Sequence, residues 1–228
     1  EICACLVGSE MCIRDRLIMD RIETIVENYP PQVLRILMNH IGTHDTERAL
    51  TVLGGEPAGG REWQSAHTLS PEQRETGLER MRLAAFLQFM LPGVPCIYYG
   101  DEAGMEGYRD PFNRACYPWG HEDENLIAWY RYLGLLRQEH GDILKDGGLR
   151  SVYAHDNVLS FERYVETEGG EDALFVAVNR SMENALVDLL PRSMIPVVLR
   201  RLDISPEMQA NSLTKQKRRA LVELLKAF

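Results

Sequence analysis

Hydrophobic and polar positions follow first a helical, then a parallel-strand and finally an alternating rhythm along this chain. Over residues 17–28, Leu17, Arg21 and Ile25 interleave with Ile18, Ile22 and Val26 at helical spacing, and Tyr29-Pro30-Pro31 ends the pattern. A helical turn over 34–37 leads into an apolar strand, 38–42, that gives way to Thr43-His44-Asp45. Residues 54–61, GGEPAGGR, predict a mobile loop. Ser70-Pro71-Glu72-Gln73 predicts a helix start, with a hydroxyl N-cap, proline in the first turn and Gln at the capping-box position. That helix runs to about Met90, and its second half is apolar nearly all round, as in a buried helix. Pro92-Gly93 ends it, and residues 94–99 read as a short strand of the parallel-sheet kind.

Residues 100–119 are irregular and polar. An amphipathic helix follows over 126–139, with Leu126, Trp129, Tyr130, Leu133 and Leu136 on one face and Gly141 as its stop. The period then changes to two. Residues 151–153, 159–165 and 173–178 predict antiparallel strands, with turns at His155-Asp156-Asn157 and Gly169-Gly170. Leu221, Leu224, Leu225 and Phe228 predict a closing helix with Thr214 as its N-cap.

The order strand, helix, strand over 38–99 brings two acidic tips to one edge of a parallel sheet, where α/β folds keep their chemistry. One tip is His44-Asp45 and the other is Asp101-Glu102. A carboxylate at Asp45 can stabilise an oxocarbenium-like transition state, and the His44 imidazole can hydrogen-bond sugar hydroxyls. Equally, Asp45 could cap the turn over 46–50, with His44 a packed neighbour. Asp101-Glu102 reads better as a loop anchor than as a catalytic pair. Asp110 and Arg114 fall in a loop overhanging the same edge, where they could grip hydroxyls or form a salt bridge that shapes the loop.

Composition narrows the classes. A chain that is 45% hydrophobic and 26% charged is globular, and a net charge of −9 argues against a nucleic-acid partner. The charge is uneven: residues 191–228 hold eight Lys/Arg against three acids, or +5, which leaves −14 for the rest. KQKRR at 215–219 reads as a solvated helix face. Cys3, Cys5, Cys12, Cys96 and Cys116 are an odd set, which suggests reduced thiols and a cytoplasmic location rather than a disulfide framework. No metal-ligand spacing and no membrane-spanning apolar run occurs, so neither a metal nor a membrane partner is expected. Residues 1–16 fit no element, and the absent initiating Met suggests an incomplete reading frame; VGSEMCIRDR resembles translated adapter DNA.

Three motifs in order carry a family resemblance. NHIGTHDTER (39–48) resembles the fourth signature region of the α-amylase superfamily of glycoside hydrolases, and GVPCIYYGDEAG (93–104) the segment around its eighth barrel strand. DPFNRACYPW (110–119) resembles the neopullulanase, cyclomaltodextrinase and maltogenic-amylase branch. The resemblance implies an α/β fold: the C-terminal portion of a (β/α)8 TIM barrel over 17–141, entered at its sixth helix, then part of an antiparallel β-domain over 142–182. By position, Asp45 corresponds to the transition-state-stabilising catalytic carboxylate. His44, Arg48, Asp110 and Arg114 correspond to substrate-binding residues, with Arg48 given no role beyond shaping the site.

The implied substrate is an α-glucan oligosaccharide or cyclodextrin, cleaved without cofactor by a retaining mechanism, and the parent enzyme could be a homodimer. The nucleophilic Asp and the acid/base Glu of that family follow earlier strands, so the chain alone is expected to be inactive. Residues 183–228 resemble an internal stretch of aminoacetone-oxidase-type FAD flavoproteins, which suggests a short helical tail joined as a chimera. The alternatives are a non-catalytic carbohydrate-binding protein and a flavin-dependent oxidoreductase fragment.

Overall fold

A computed structural model of the chain describes residues 14–155 and 158–179; the terminal segments 1–13 and 180–228, with their expected tail helix, lie outside the described residues. Helix α1 spans Arg14–Asn28 and starts three residues before the apolar pattern does, because a helix already nucleated can extend over polar residues. Arg14-Asp15 is therefore helical. Pro30 is extended and opens a single helical turn, α2, at Pro31–Leu34. Strand β1 follows at Met38–His40, then helices α3 (Ala49–Gly54), α4 (Arg61–Ala66) and α5 (Pro71–Met90), and strand β2 (Val94–Cys96). The expected mobile loop at 54–61 is shorter than its composition suggests, since Gly54 closes α3 and Arg61 opens α4.

Helix α5 begins as its sequence dictates. Ser70 Oγ accepts from Gln73 N at 3.2 Å, and Gln73 Oε1 accepts from Ser70 N at 2.8 Å, so two orphan donors are satisfied reciprocally. Gly77 on α5 lies where α3 crosses; a Cβ there would meet Leu50 Cδ1 at 2.9 Å. Strands β1 and β2 pair in parallel, Met38 with Val94 and His40 with Cys96. Buried Gln88 clips the pair to α5: its Nε2 donates to Asn39 O (2.8 Å) and Cys96 O (2.9 Å), while Asn39 Nδ2 donates to Pro92 O (3.0 Å). Both strands stop short of their apolar runs, at His40 rather than Gly42 and at Cys96 rather than Tyr99. Past those points the backbone polar groups are taken by loop turns and by Arg48, so no ladder continues.

Asp123 caps helix α6 (Glu124–Glu139) by accepting from Leu126 N. Gly141 does not close this segment as its composition suggests. His140 makes the break, and Gly141 opens a second short helix, α7 (Gly141–Asp146). A three-stranded sheet follows in the order β3 (Gly148–His155), β4 (Val158–Thr167), β5 (Gly170–Asn179), with β3 and β4 antiparallel. Each strand outruns its alternating pattern by several residues, because ladder pairing persists where the side-chain alternation has faded.

One core unites the parallel and antiparallel parts. Met19 and Ile22 of α1, Met81, Ala85 and Met90 of α5, Leu126 and Leu133 of α6, Leu144 of α7, Phe161 of β4 and Val176 of β5 are all buried in it. Arg163 of β4 crosses this core without exposure. Its guanidinium donates to Met90 O (2.7 Å) at the end of α5, to Gly147 O (2.8 Å), and to Ile143 O and Leu144 O (both 3.3 Å) at the end of α7, while its Nε donates to Gly148 O (3.1 Å). A cation is well placed there, because the last carbonyls of a helix carry partial negative charge and lack intrahelical donors. Burial pulls its pKa down to about 10, with the nearby Arg137 charge adding to the effect, so it stays protonated at neutral pH.

Candidate active site

The C-terminal ends of β1 and β2 open onto three loops, 41–48, 97–105 and 107–121. The polar side chains at this edge form two tiers, one wet and one dry.

The wet tier is a run of four groups. His44 Nε2 lies 3.2 Å from Asp45 Oδ2, Arg114 Nη2 lies 3.8 Å from Asp45 Oδ1, and Arg114 Nε lies 2.9 Å from Asp110 Oδ1. Their side chains are 45–74% exposed, so each can still reach a ligand. Asp110 precedes, and Arg114 ends, the 3-10 turn Phe112–Arg114, which follows a cis Asp110-Pro111 bond. The expected overhang thus brings residues about seventy positions apart in sequence to one place. Asp45 does not cap a helix. Helix α3 starts at Ala49, and its N-cap, Arg48, makes no side-chain cap bond.

The dry tier lies beneath. Arg48, grouped by its motif with the substrate-binding residues but given no role beyond shaping the site, has a fully buried side chain. Its Nε donates to Asn113 O at 2.7 Å and its Nη1 donates to Tyr99 O. Nη1 also stands 3.5 Å from Asp101 Oδ1, and the guanidinium lies 4.4 Å and 4.5 Å from the ring centres of Tyr98 and Tyr99. Burial pushes the Asp101 carboxyl up to about 7; Arg48 opposes the shift and the neighbouring Glu102 charge adds to it. Gly42 leaves room for this carboxylate, since a Cβ there would sit 2.4 Å from Asp101 Oδ2. Glu102 Oε2 accepts from Gly100 N at 2.9 Å. Both acids therefore serve the loop, the role preferred for them on sequence grounds.

Asn113, unremarked in the sequence, couples the tiers. It is wholly buried, and its Nδ2 donates to His44 O (2.8 Å) and Thr46 O (2.6 Å). Arg114 Nε also donates to His44 O, at 3.3 Å. The only sequence signal for Asn113 was its place inside the DPFNR motif.

Among the described residues, no three His, Cys, Asp or Glu side chains are grouped to hold a metal ion, and no helix is long and apolar enough to cross a membrane. Cys96 and Cys116 are free thiols.

The α-amylase catalytic-domain profile matches residues 15–146, which include both tiers and both parallel strands. The chain belongs to the α-amylase family. An amylopullulanase of Thermoanaerobacter thermohydrosulfuricus is 40% identical over 145 residues, 64% of this chain and 9% of that protein. A cyclomaltodextrinase of Geobacillus thermopakistaniensis is 33% identical over 172 residues, 75% of this chain and 25% of that one. The crystal structure of the Nostoc punctiforme debranching enzyme superimposes with a TM-score of 0.57 at 26% identity, over 72% of this chain and 28% of that one. This α-amylase family chain thus spans a tenth to a quarter of the length of the curated relatives it matches. Its two parallel strands are part of a (β/α)8 barrel, and its antiparallel sheet follows that barrel.

Proposed function

We propose that these residues are the late part of the catalytic barrel of an α-glucan hydrolase of the neopullulanase, cyclomaltodextrinase and maltogenic-amylase branch. The observation that carries this reading is the wet run His44–Asp45–Arg114–Asp110 at the C-terminal ends of two parallel strands, at the positions of the family's motifs. Catalytic groups of barrel enzymes lie at that face. The names of the relatives, amylopullulanase and cyclomaltodextrinase, favour pullulan, cyclodextrins and maltooligosaccharides as substrates.

In this reading the Asp45 carboxylate faces the anomeric centre, where its charge favours the oxocarbenium-like transition state over the neutral ground state. His44 hydrogen-bonds hydroxyls of the same glucose. The Arg114 fork and the Asp110 carboxylate hold the adjacent glucose through several hydroxyls at once. A retaining reaction also needs a nucleophile and an acid/base ~5–5.5 Å apart, and in this family both follow earlier barrel strands. The 228 residues alone therefore bind α-glucan without cleaving it, and Asp45 acts only in the complete barrel. The free thiols suit a reducing, cytoplasmic compartment. The flavoprotein-like sequence of residues 183–228 is joined from another gene in the same proposal, and genomic sequence across codons 180–184 tests that join.

Calorimetry with maltoheptaose tests the reading. Binding heat is expected from the chain and is expected to vanish in Arg114→Ala. Absence of heat from the unaltered chain refutes α-glucan binding. Cyclodextrin turnover that disappears in Asp45→Asn refutes the claim that catalysis needs the other two carboxyls.

A further inference from the structure

Resting on the α-glucan reading, we propose that Arg48 and Asp101 are positioning residues for the sugar. Their buried pair aims the guanidinium that holds the 110–114 loop, and so fixes where Arg114 and Asp110 stand relative to His44 and Asp45.

The connection is continuous. Asp101 lies 3.5 Å from Arg48, and Arg48 holds the carbonyl of Asn113 at 2.7 Å. The Asn113 side chain holds the carbonyl of His44 at 2.8 Å, and Arg114, the next residue along, holds the same carbonyl at 3.3 Å. Four groups that face solvent are thus referred to one guanidinium that does not. The fork leaves Arg48 little choice of orientation, because Tyr98 and Tyr99 lie over its plane and the Tyr99 carbonyl takes Nη1. Stability alone does not call for a charged pair here, since an apolar pair of similar volume is often as stable in a protein interior. What an apolar pair cannot do is direct donors at the Asn113 and Tyr99 carbonyls.

Three ionisable groups face the Asp101 carboxyl: Arg48 from the segment before α3, Glu102 beside it in the same loop, and Tyr130 from α6. Burial leaves the carboxyl titrating near 7, whereas an exposed Asp would be fully ionised at that pH. The charge that aims Arg48 is consequently lost as pH falls through about 7, and sugar binding should report that loss although Asp101 never touches sugar.

The test is the affinity of the 228-residue chain for maltoheptaose, measured by calorimetry on both sides of pH 7, for the unaltered chain, Asp101→Asn and Arg48→Lys, with circular dichroism confirming fold. The unaltered chain should bind several-fold more weakly below pH 7 than above it. Asp101→Asn should bind weakly throughout and lose that part of the pH dependence; whatever pH dependence the two chains share cancels in the difference. Arg48→Lys keeps the charge but not the fork, and should fail to restore affinity, at ~10-fold weaker binding.

Unaltered affinity in either folded variant, or a pH profile in Asp101→Asn that follows that of the unaltered chain, overturns the positioning role and leaves the α-glucan reading standing. Should Asp101→Asn not fold, a pH-independent affinity of the unaltered chain overturns it equally. No binding by the unaltered chain at any pH defeats the α-glucan reading itself, and this proposal with it.

Discussion

Arg48 and Arg114 serve adjoining loops, yet they live in opposite surroundings. Arg114 is nearly half exposed, and its partners Asp45 and Asp110 are wetter still. Water screens such pairs, so they add little to stability and remain free to exchange partners. Arg48 is dry, and its partner Asp101 is dry as well. Removing one member there strands a charge, so that pair can only hold shape. The barrel edge thus separates its charges by depth: those near solvent are easily moved, and those beneath are not. Arg163 extends the comparison, because it is equally dry and faces five carbonyls, with no carboxylate among its hydrogen-bond acceptors.

The largest expected effect is at Arg163. Replacing it with Met takes the side-chain donor from the Met90 and Gly147 carbonyls, leaves Ile143 O to Gly147 N and Leu144 O to Arg137, and should destabilise the chain by at least ~3 kcal/mol, read by urea unfolding. A loss below ~1 kcal/mol would show that those carbonyls find other donors and that the dry arginines do not hold the fold.

Next is the pH dependence of Asp101. Its folded pKa, about 7, exceeds the unfolded 3.8, so the native state binds the extra proton between those values. Stability of the unaltered chain relative to Asp101→Asn should therefore fall, by up to a few kcal/mol, as pH rises from about 4 to about 7, and level off above. A relative stability that rises over that interval means that the Arg48 charge outweighs the cost of burial.

Ser70→Ala removes half of the α5 capping box and should cost ~1 kcal/mol in thermal or urea unfolding, with no change in sugar affinity. Smallest in stability is Asp110→Asn, a wet-tier change expected to move unfolding by less than ~0.5 kcal/mol while weakening maltoheptaose several-fold. The contrast between tiers fails if Asp110→Asn unfolds the chain as readily as a dry-tier substitution does.

Much of the fold was legible because its signals are local. The Ser70–Gln73 box, the proline stops, the 3.6-residue stripe over 126–136 and the alternation after 151 each depend on a few neighbouring residues. Element lengths were less legible. Where β1 and β2 end depends on which distant group claims the next carbonyl, and Arg48 claims that of Tyr99. The change of role at Gly141 was also hidden, since a glycine after a helix can close it or begin another.

Motif spacing put His44, Asp45, Asp110 and Arg114 in one set, and the fold brings those four side chains together. It left the depth of Arg48 open, because a motif arginine reads the same whether its side chain turns toward solvent or into the core. It passed over Asn113 and Arg163, whose acceptors are main-chain carbonyls of remote segments and leave no trace in side-chain pattern.

By itself, then, the sequence determined the strand–helix–strand order, the caps and the family, all of which follow from residues close together or from motifs in fixed order. Tertiary structure alone decided which charges are wet and which are dry. Burial depends on what packs above a residue, and here that cover comes from loops more than fifty positions away, gathered around the guanidinium of Arg48.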